Sequence, residues 1–262
     1  MPNNGDFQDY YLRHIGVSTP VPVGQSVLSA DFPVENPNGS PPENSADISL
    51  HEPDAQVYAT ACEPSPALPA DLKQLREAAL SCEACALSES RTQVVFGVGC
   101  EQPDVLFIGE APGEQEDKVG EPFVGKAGKL LDQMLAALNW SRKNVYIMNV
   151  VKCRPPGNRN PNTEEVEACS RWFDAQWQSL QPKLVCLLGK VAAQRVLGSD
   201  ASLASLRGRW HEYRGVPVWV SYHPAYLLRS PTQKALAWQD FRVLAGHSRA
   251  VQGATGEGAA ER

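Results

Sequence analysis

No stretch of this sequence stays apolar for the roughly 18–20 residues that a membrane span requires. The opening MPNNGDFQDYYLRH has no cationic region ahead of an apolar one, which excludes a secretory signal there. The expectation is a cytoplasmic protein without membrane association. Its seven cysteines then serve as thiols or metal ligands rather than as disulfides. Basic residues are nearly missing from the first 70 positions, where Arg13 stands against nine carboxylates for a net of −8. No internal repeat is present either.

What remains is more informative. The formal charge of −6 argues against a nucleic-acid partner until it is divided along the chain. Residues 71–262 hold 23 bases and 21 acids, a net of +2, so the acidity belongs to a tail and the rest can present a basic patch to DNA. Hydrophobic content of 42% is ordinary for a soluble globular protein, and 262 residues suffice for one large domain or two small ones.

Residues 1–67 read as a disordered acidic tail: STPVPVG, ENPNGSPPENSAD and CEPSPALPAD bury too little apolar surface to offset their ordering entropy. Within it, residues 7–17 gather Phe7, Tyr10, Tyr11, Leu12, Ile15 and Val17, either a frayed helical turn or a docking peptide on a tether. Residues 68–248 alternate strand and helix patterns. DVLFIGE, NVYIMNVV, KLVCLLG and VPVWVSYHP are apolar runs of strand length, and RGRWHEYRG suggests a further strand. PADLKQLREAALSC, KAGKLLDQMLAALN, NTEEVEACSRWFDAQWQSL, KVAAQRVLG and TQKALAWQDFRVLAG are helical, the third opened by the capping pair Asn162 and Glu165. Such alternation predicts a mostly parallel sheet covered on both faces, with ligands beyond the carboxyl ends of the strands. Residues 249–262 are expected to fray.

Four groups of residues carry chemistry. Cys82 and Cys85 form CEAC at a helix end, with Cys153 after the second strand and Cys169 in the next helix. This spacing suits a tetrahedral thiolate site or a cubane cluster, zinc and iron–sulfur being equivalent at this level, or else leaves Cys153 and Cys169 as buried thiols. Cys186 reads as a core residue, while Cys62 and Cys100 have no evident partner.

The second group is GEAPGEQEDKVGEPFVGKAG, residues 109–128. Gly120, Gly125 and Lys126 match GxxxxGK, but Ala127 replaces the hydroxyl that magnesium needs, and Pro122 and Phe123 obstruct a phosphate cradle. Glu110, Glu114, Glu116 and Asp117 beside Phe123 instead suggest electrostatics against a cationic transition state next to a stacking platform. In the third group, NVVKCRPPGNRNP, Asn149 ends a strand with an amide that both donates and accepts, and Arg154, Asn158 and Arg159 suit phosphate contacts. In the fourth, YHPAYLLR, His223 follows a strand. Tyr226, Leu227 and Leu228 beside Arg229 form either a wedge for unstacking DNA or the inward-packed start of the last helix.

Together these motifs resemble the family-four, iron–sulfur uracil-DNA glycosylases over residues 68–246. The resemblance implies an α/β fold, a three-layer α/β/α sandwich around a central four-stranded, mostly parallel sheet. It implies a [4Fe–4S] cluster on Cys82, Cys85, Cys153 and Cys169 that braces loops near DNA. It further implies base-excision repair of uracil-containing DNA, with the flipped base stacked on Phe123. Asn149 then reads N3–H and O4, His223 bonds O2, and the backbone N–H near Ala111 assists. Glu110 and Glu116 position water and stabilise the sugar cation, Glu116 also crowding the C5 position. Arg154, Arg159, Tyr226, Leu227 and Arg229 contact DNA, with Leu227 as the wedge. Ala111 departs from the Asp of the best-known branch, so water handling lies elsewhere. Relatives that trap the sugar covalently carry an Arg-rich insertion before their His, and VPVWVSYHP has none, which implies turnover. The competing class is a non-catalytic iron–sulfur DNA-binding or scaffold protein, against which Glu110, Phe123, Asn149 and His223 argue. The expected state is a monomer, with a clamp, clamp loader or single-strand-binding protein as partner of residues 7–17.

Overall fold

The computed structural model describes Arg13, Gly16 and residues 68–256, with side chains through Ala250. The docking-peptide reading of residues 7–17 and the tail assignment therefore fall, apart from Arg13 and Gly16, outside the described residues.

In chain order the elements are α1 (Leu72–Leu80), α2 (Leu87–Ser90), β1 (Val98–Gly99), β2 (Val105–Gly109), α3 (Glu114–Val119), α4 (Lys126–Ala136) and β3 (Tyr146–Asn149). After a 3-10 turn at Pro156–Asn158 come α5 (Thr163–Leu180), β4 (Leu184–Leu188), α6 (Lys190–Leu197), α7 (Leu203–Leu206), β5 (Trp210–Tyr213) and β6 (Val216–Ser221). A short helix α8 (Pro224–Arg229) and a 3-10 turn at Pro231–Gln233 lead to α9 (Lys234–Gly256). The last helix thus runs past residue 248, since no proline interrupts Ser248–Gly256.

The sheet order is β1-β3-β2-β4-β6-β5. The four central strands are parallel, as the alternating pattern implies, and β1 and β5 pair antiparallel at the two edges. The four-stranded sheet of the resemblance is therefore the parallel centre of a six-stranded mixed one. The added edge β1 is only two residues long and leaves no periodic signal to read.

Strand parity builds the layers, because successive side chains point to opposite faces. Leu106, Ile108, Tyr146, Met148, Val185, Leu187, Val218 and Val220 pack with α1, α5 and α6. Val105, Phe107, Ile147, Leu184, Cys186, Leu188 and Trp219 pack with α4 and α9. The result is the expected α/β/α sandwich, with Cys186 in its core. Gly109 and Asn149 are register partners at the carboxyl ends of β2 and β3, and Leu188 and Ser221 pair at the ends of β4 and β6. All four strands thus deliver their following loops to one end of the sheet.

Candidate active site

A cleft of about 450 Å³ opens there, lined by Glu110, Ala111, Glu116, Phe123, Asn149, Arg159, His223, Tyr226 and Arg229 among others. Asn149 forms its floor: it is 2% exposed, and its Oδ1 has no hydrogen-bond donor. A buried polar atom without a partner is costly, and the fold itself makes no use of this oxygen as an acceptor.

Phe123 lies in the left-handed backbone region, φ 55°, which a bulky residue adopts only under constraint. Arg142 supplies the constraint. Its guanidinium donates to the carbonyls of Pro122, at 2.7 Å, and Phe123, and its Nε donates to Asp132 at 2.8 Å. Glycine clears the space around the ring. A Cβ on Gly109 would stand 2.4 Å from Asn149 Oδ1 and 2.6 Å from the Phe123 ring. A Cβ on Gly128 would stand 1.6 Å from the Phe123 carbonyl oxygen.

His223 caps α8, its Nδ1 accepting the N–H of Ala225 at 3.1 Å. In the neutral ring that bond places the proton on Nε2. Burial, reinforced by the Arg229 guanidinium, pushes its pKa down to about 4, with Glu116 opposing, so the ring is neutral at physiological pH. Its ring centroid lies 5.4 Å from that of Phe123.

The structure sorts the four acids that the sequence groups together. Three of them sit in helix α3 rather than in a loop, within its first turn, where its dipole favours negative charge. Glu114 is exposed and pairs with Lys118. Asp117 is buried and accepts the N–H groups of Thr92 and Gln93. Glu116 accepts from Val124 and Gly125 at 2.9 Å and from Gly113 at 3.2 Å. Its carboxylate thus ties three backbone N–H groups of the cleft wall together while the residue itself lines the cleft. Glu110 alone of the four lines the cleft with a carboxylate that makes no hydrogen bond among the described residues; its backbone carbonyl accepts the N–H of Val151 at 3.2 Å. Burial raises its pKa above the usual 4.5, against the pull of Arg195.

One DNA-contact expectation needs correction. Leu227 is fully buried among the residues packed on α4 and α9, so it is not an exposed wedge. The reason is helical phase: Pro224 and Leu227, one turn apart in α8, face inward, while Tyr226, Leu228 and Arg229 face out. Arg159 lines the cleft with its side chain 45% exposed, and pairs with Glu165, at 2.5 and 2.8 Å, and with the carbonyl of Asn160. That carboxylate also caps α5 through the N–H of Asn162. Arg154 uses only its Nε, on Asn158, and the Arg229 guanidinium has no ion pair or hydrogen bond among the described residues.

Cys82, Cys85, Cys153 and Cys169 line one pocket with Arg91, Lys152 and Trp172. Three N–H groups reach sulfur: Trp172 Nε1 to Cys82 at 3.1 Å, Lys152 N to Cys169 at 3.3 Å, and Arg91 Nη1 to Cys153 at 3.4 Å. Burial pushes the Cys153 thiol up and that of Cys169 to about 11. Among the described residues no three Cys, His, Asp or Glu are grouped so as to hold a single metal ion. Lys152 is buried beside this pocket, and its Nζ donates to the carbonyl of Asn149 at 2.7 Å. Burial lowers its pKa to about 8, against the pull of Cys169 and Cys153. Sequence reasoning missed both Lys152 and Arg142.

The model of the uracil DNA glycosylase superfamily matches residues 96–242, more than half of the chain and the whole span from β2 to α8. The chain belongs to the uracil DNA glycosylase superfamily. Among other members it is 40% identical over 182 residues to a type-4 uracil-DNA glycosylase of Sulfurisphaera tokodaii, covering 66% of this chain and 83% of that one. It is 41% identical to a type-4 uracil-DNA glycosylase of Archaeoglobus fulgidus, covering 63% and 87%. It is 44% identical to a type-4 uracil-DNA glycosylase of Thermotoga maritima, covering 57% and 79%. No helix among the described residues of this superfamily member is long and apolar enough to cross a membrane.

Proposed function

We propose that this chain is a monofunctional uracil-DNA glycosylase of base-excision repair. It hydrolyses the N-glycosidic bond of a flipped-out deoxyuridine, releasing uracil and leaving an abasic site. The observation that carries the reading is the buried, donorless Asn149 Oδ1 on the floor of a cleft shared with Phe123, His223 and Glu110. Uracil offers an N3–H to that oxygen, whereas cytosine offers only a lone pair at N3 and rejects it.

Phe123 stacks on the extruded base. The C1′–N1 bond breaks with its electron pair going to the ring, and charge develops at O2. His223 meets it as a neutral donor through Nε2–H, a contact that strengthens as the bond breaks. Glu110, the unengaged carboxylate, orients water toward C1′ and opposes the positive charge there. Glu116 holds the wall rigid through its three backbone contacts and is our candidate for excluding a C5 methyl. Leu228 and Tyr226, rather than Leu227, are the exposed groups of α8 available to the duplex, with Arg154 and Arg229 for phosphates.

Cys82, Cys85, Cys153 and Cys169 would hold a [4Fe–4S] cluster. The donor set fits: four thiols and no other ligand type line one pocket, with N–H donors on three sulfurs and two cations beside them. When bound, the cluster supplies a cross-link between α1, β3 and α5 rather than a catalytic step.

Release of free uracil from an oligonucleotide with one deoxyuridine tests the reading. Substoichiometric protein is expected to release uracil over many turnovers. No release by iron-loaded protein would overturn it. Metal analysis should find iron and sulfide, and active protein carrying zinc alone would overturn the cluster assignment.

A further inference from the structure

A column of stacked groups rises from the core to the mouth of the cleft. At its base Asp240, buried on α9, accepts Ser221 Oγ at 2.8 Å and Arg207 Nη2 at 2.7 Å. The guanidinium carbon of Arg207 lies 3.9 Å above the Tyr222 ring, and Tyr222 stacks on Tyr226 with centroids 5.3 Å apart and planes 25° apart. The guanidinium and the Tyr226 ring thus both pack on Tyr222. Tyr226 is nonetheless 38% exposed, and it lines the cleft. With one side packed on Tyr222, the ring keeps exposed surface on the cleft side for a further contact. Neither phenol makes a hydrogen bond among the described residues, so neither ring is held there by its hydroxyl.

We propose that Tyr226, backed by Tyr222 and Arg207, is a stacking shelf for the base of a nucleotide adjacent to the flipped uracil on the same strand. This deepens the glycosylase reading and rests on it. An aromatic face at the mouth of a base pocket is matched by the one surface that every nucleobase offers, its π-face, so the shelf accepts any sequence. The column supplies rigidity: Tyr226 meets its ligand already ordered, with less side-chain entropy to lose than an unsupported exposed tyrosine. Arg229, three residues on and unpaired among the described residues, is placed for the phosphate of that nucleotide. Extruding uracil removes one stacking partner from its neighbour, and the shelf returns one. A complementary strand is not needed for this, so the shelf favours single-stranded substrate.

The test uses the full chain and a single-stranded oligonucleotide carrying uncleavable 2′-fluoro-deoxyuridine, with 2-aminopurine placed either 5′ or 3′ of it. Binding should quench the 2-aminopurine at one of the two positions. The quench should vanish in Tyr226→Ala and return in Tyr226→Phe. Affinity of the alanine variant should fall about 5- to 150-fold, the range for loss of one base–aromatic stack. Replacing the neighbouring base by an abasic linker should weaken the wild type equally and leave Tyr226→Ala unaffected. Unchanged quenching in Tyr226→Ala, or additive losses from the two changes, would overturn the shelf. Uracil release from the matching deoxyuridine oligonucleotide is measured alongside. Release with unaltered affinity in Tyr226→Ala rejects the shelf alone, whereas no release by the wild type rejects the glycosylase reading and the shelf with it.

Discussion

Lys152 Nζ lies 2.7 Å from the backbone carbonyl of Asn149, so a lysine next to one of the pocket cysteines holds the residue at the floor of the cleft. Lys152→Met should loosen Asn149. A buried hydrogen bond to a charged group contributes about 1.5–3 kcal/mol, which corresponds to a ~10- to 150-fold fall in kcat/KM on deoxyuridine. Inhibition by free uracil should weaken while affinity for abasic DNA holds. Equal loss of both would assign Lys152 to general stability instead.

Asn149→Asp removes the amide donor and places a carboxylate where O4 would lie. Uracil release should fall by ~10²-fold or more, the scale of a lost preorganised polar contact. Single-turnover kinetics on deoxyuridine, with deoxycytidine assayed beside it, reads this directly. A trace of cytosine release is the expected gain, since a carboxylate accepts from N4.

The acid side of the rate profile should belong to Glu110. Its carboxyl must be ionised to act, and burial raises its pKa, so activity is full well above that value and falls with acid sooner than for a free carboxylate. His223 works as the neutral form, and with a pKa of about 4 it stays neutral until more acid conditions. The pH dependence of single-turnover kcat should therefore show an acid limb above the ordinary carboxylate range, abolished in Glu110→Gln and kept in His223→Ala. Persistence of that limb in Glu110→Gln would assign it elsewhere.

Arg142→Met should release the Phe123 backbone from its left-handed conformation. KM for deoxyuridine DNA should rise about 10-fold, in line with loss of charge-assisted bonds to two carbonyls. A smaller change in kcat would show that the ring binds the base more than it drives the chemistry. Titration with free uracil gives an independent check.

The parallel core was legible because Leu106, Ile108, Val185 and Leu187 sit in apolar runs whose parity decides which layer they join. Phe123, Asn149 and His223 were legible as the ends of strands and a glycine-rich loop, where side chains converge by topology. The roles of Arg142 and Lys152 were not. Arg142 acts on a carbonyl 19 residues earlier, and Lys152 looks in sequence like any lysine in a loop. Nothing local distinguishes them from solvated charges. The sorting of Glu110 from Glu116 and Asp117 depended on helix α3, whose six residues are too short for periodicity to reveal. Leu227 was misjudged for the same reason: in a one-and-a-half-turn helix, phase rather than hydrophobicity decides which leucine meets solvent.

Deleting residues 1–66 should leave uracil release from short oligonucleotides nearly intact, because the residues assigned to the base pocket and the thiol pocket all lie at Cys82 or beyond. Filter binding at low salt should show slightly tighter DNA association, an effect that added salt removes. Lost activity on truncation would place part of that segment in the working enzyme.

The glycines of the cleft carry a consequence for how this gene tolerates change. Gly109 and Gly128 contribute no side chain to the chemistry, yet a methyl group on either would stand less than three ångströms from Asn149 or Phe123. Gly189, at φ 95°, stands the same way toward His223. In a saturation library, then, the least permissive codons should include three that encode empty space. A variant there would be disabled by an added carbon, with every reacting group still in the chain, and would be misread as benign by any scheme that looks only for lost functional groups.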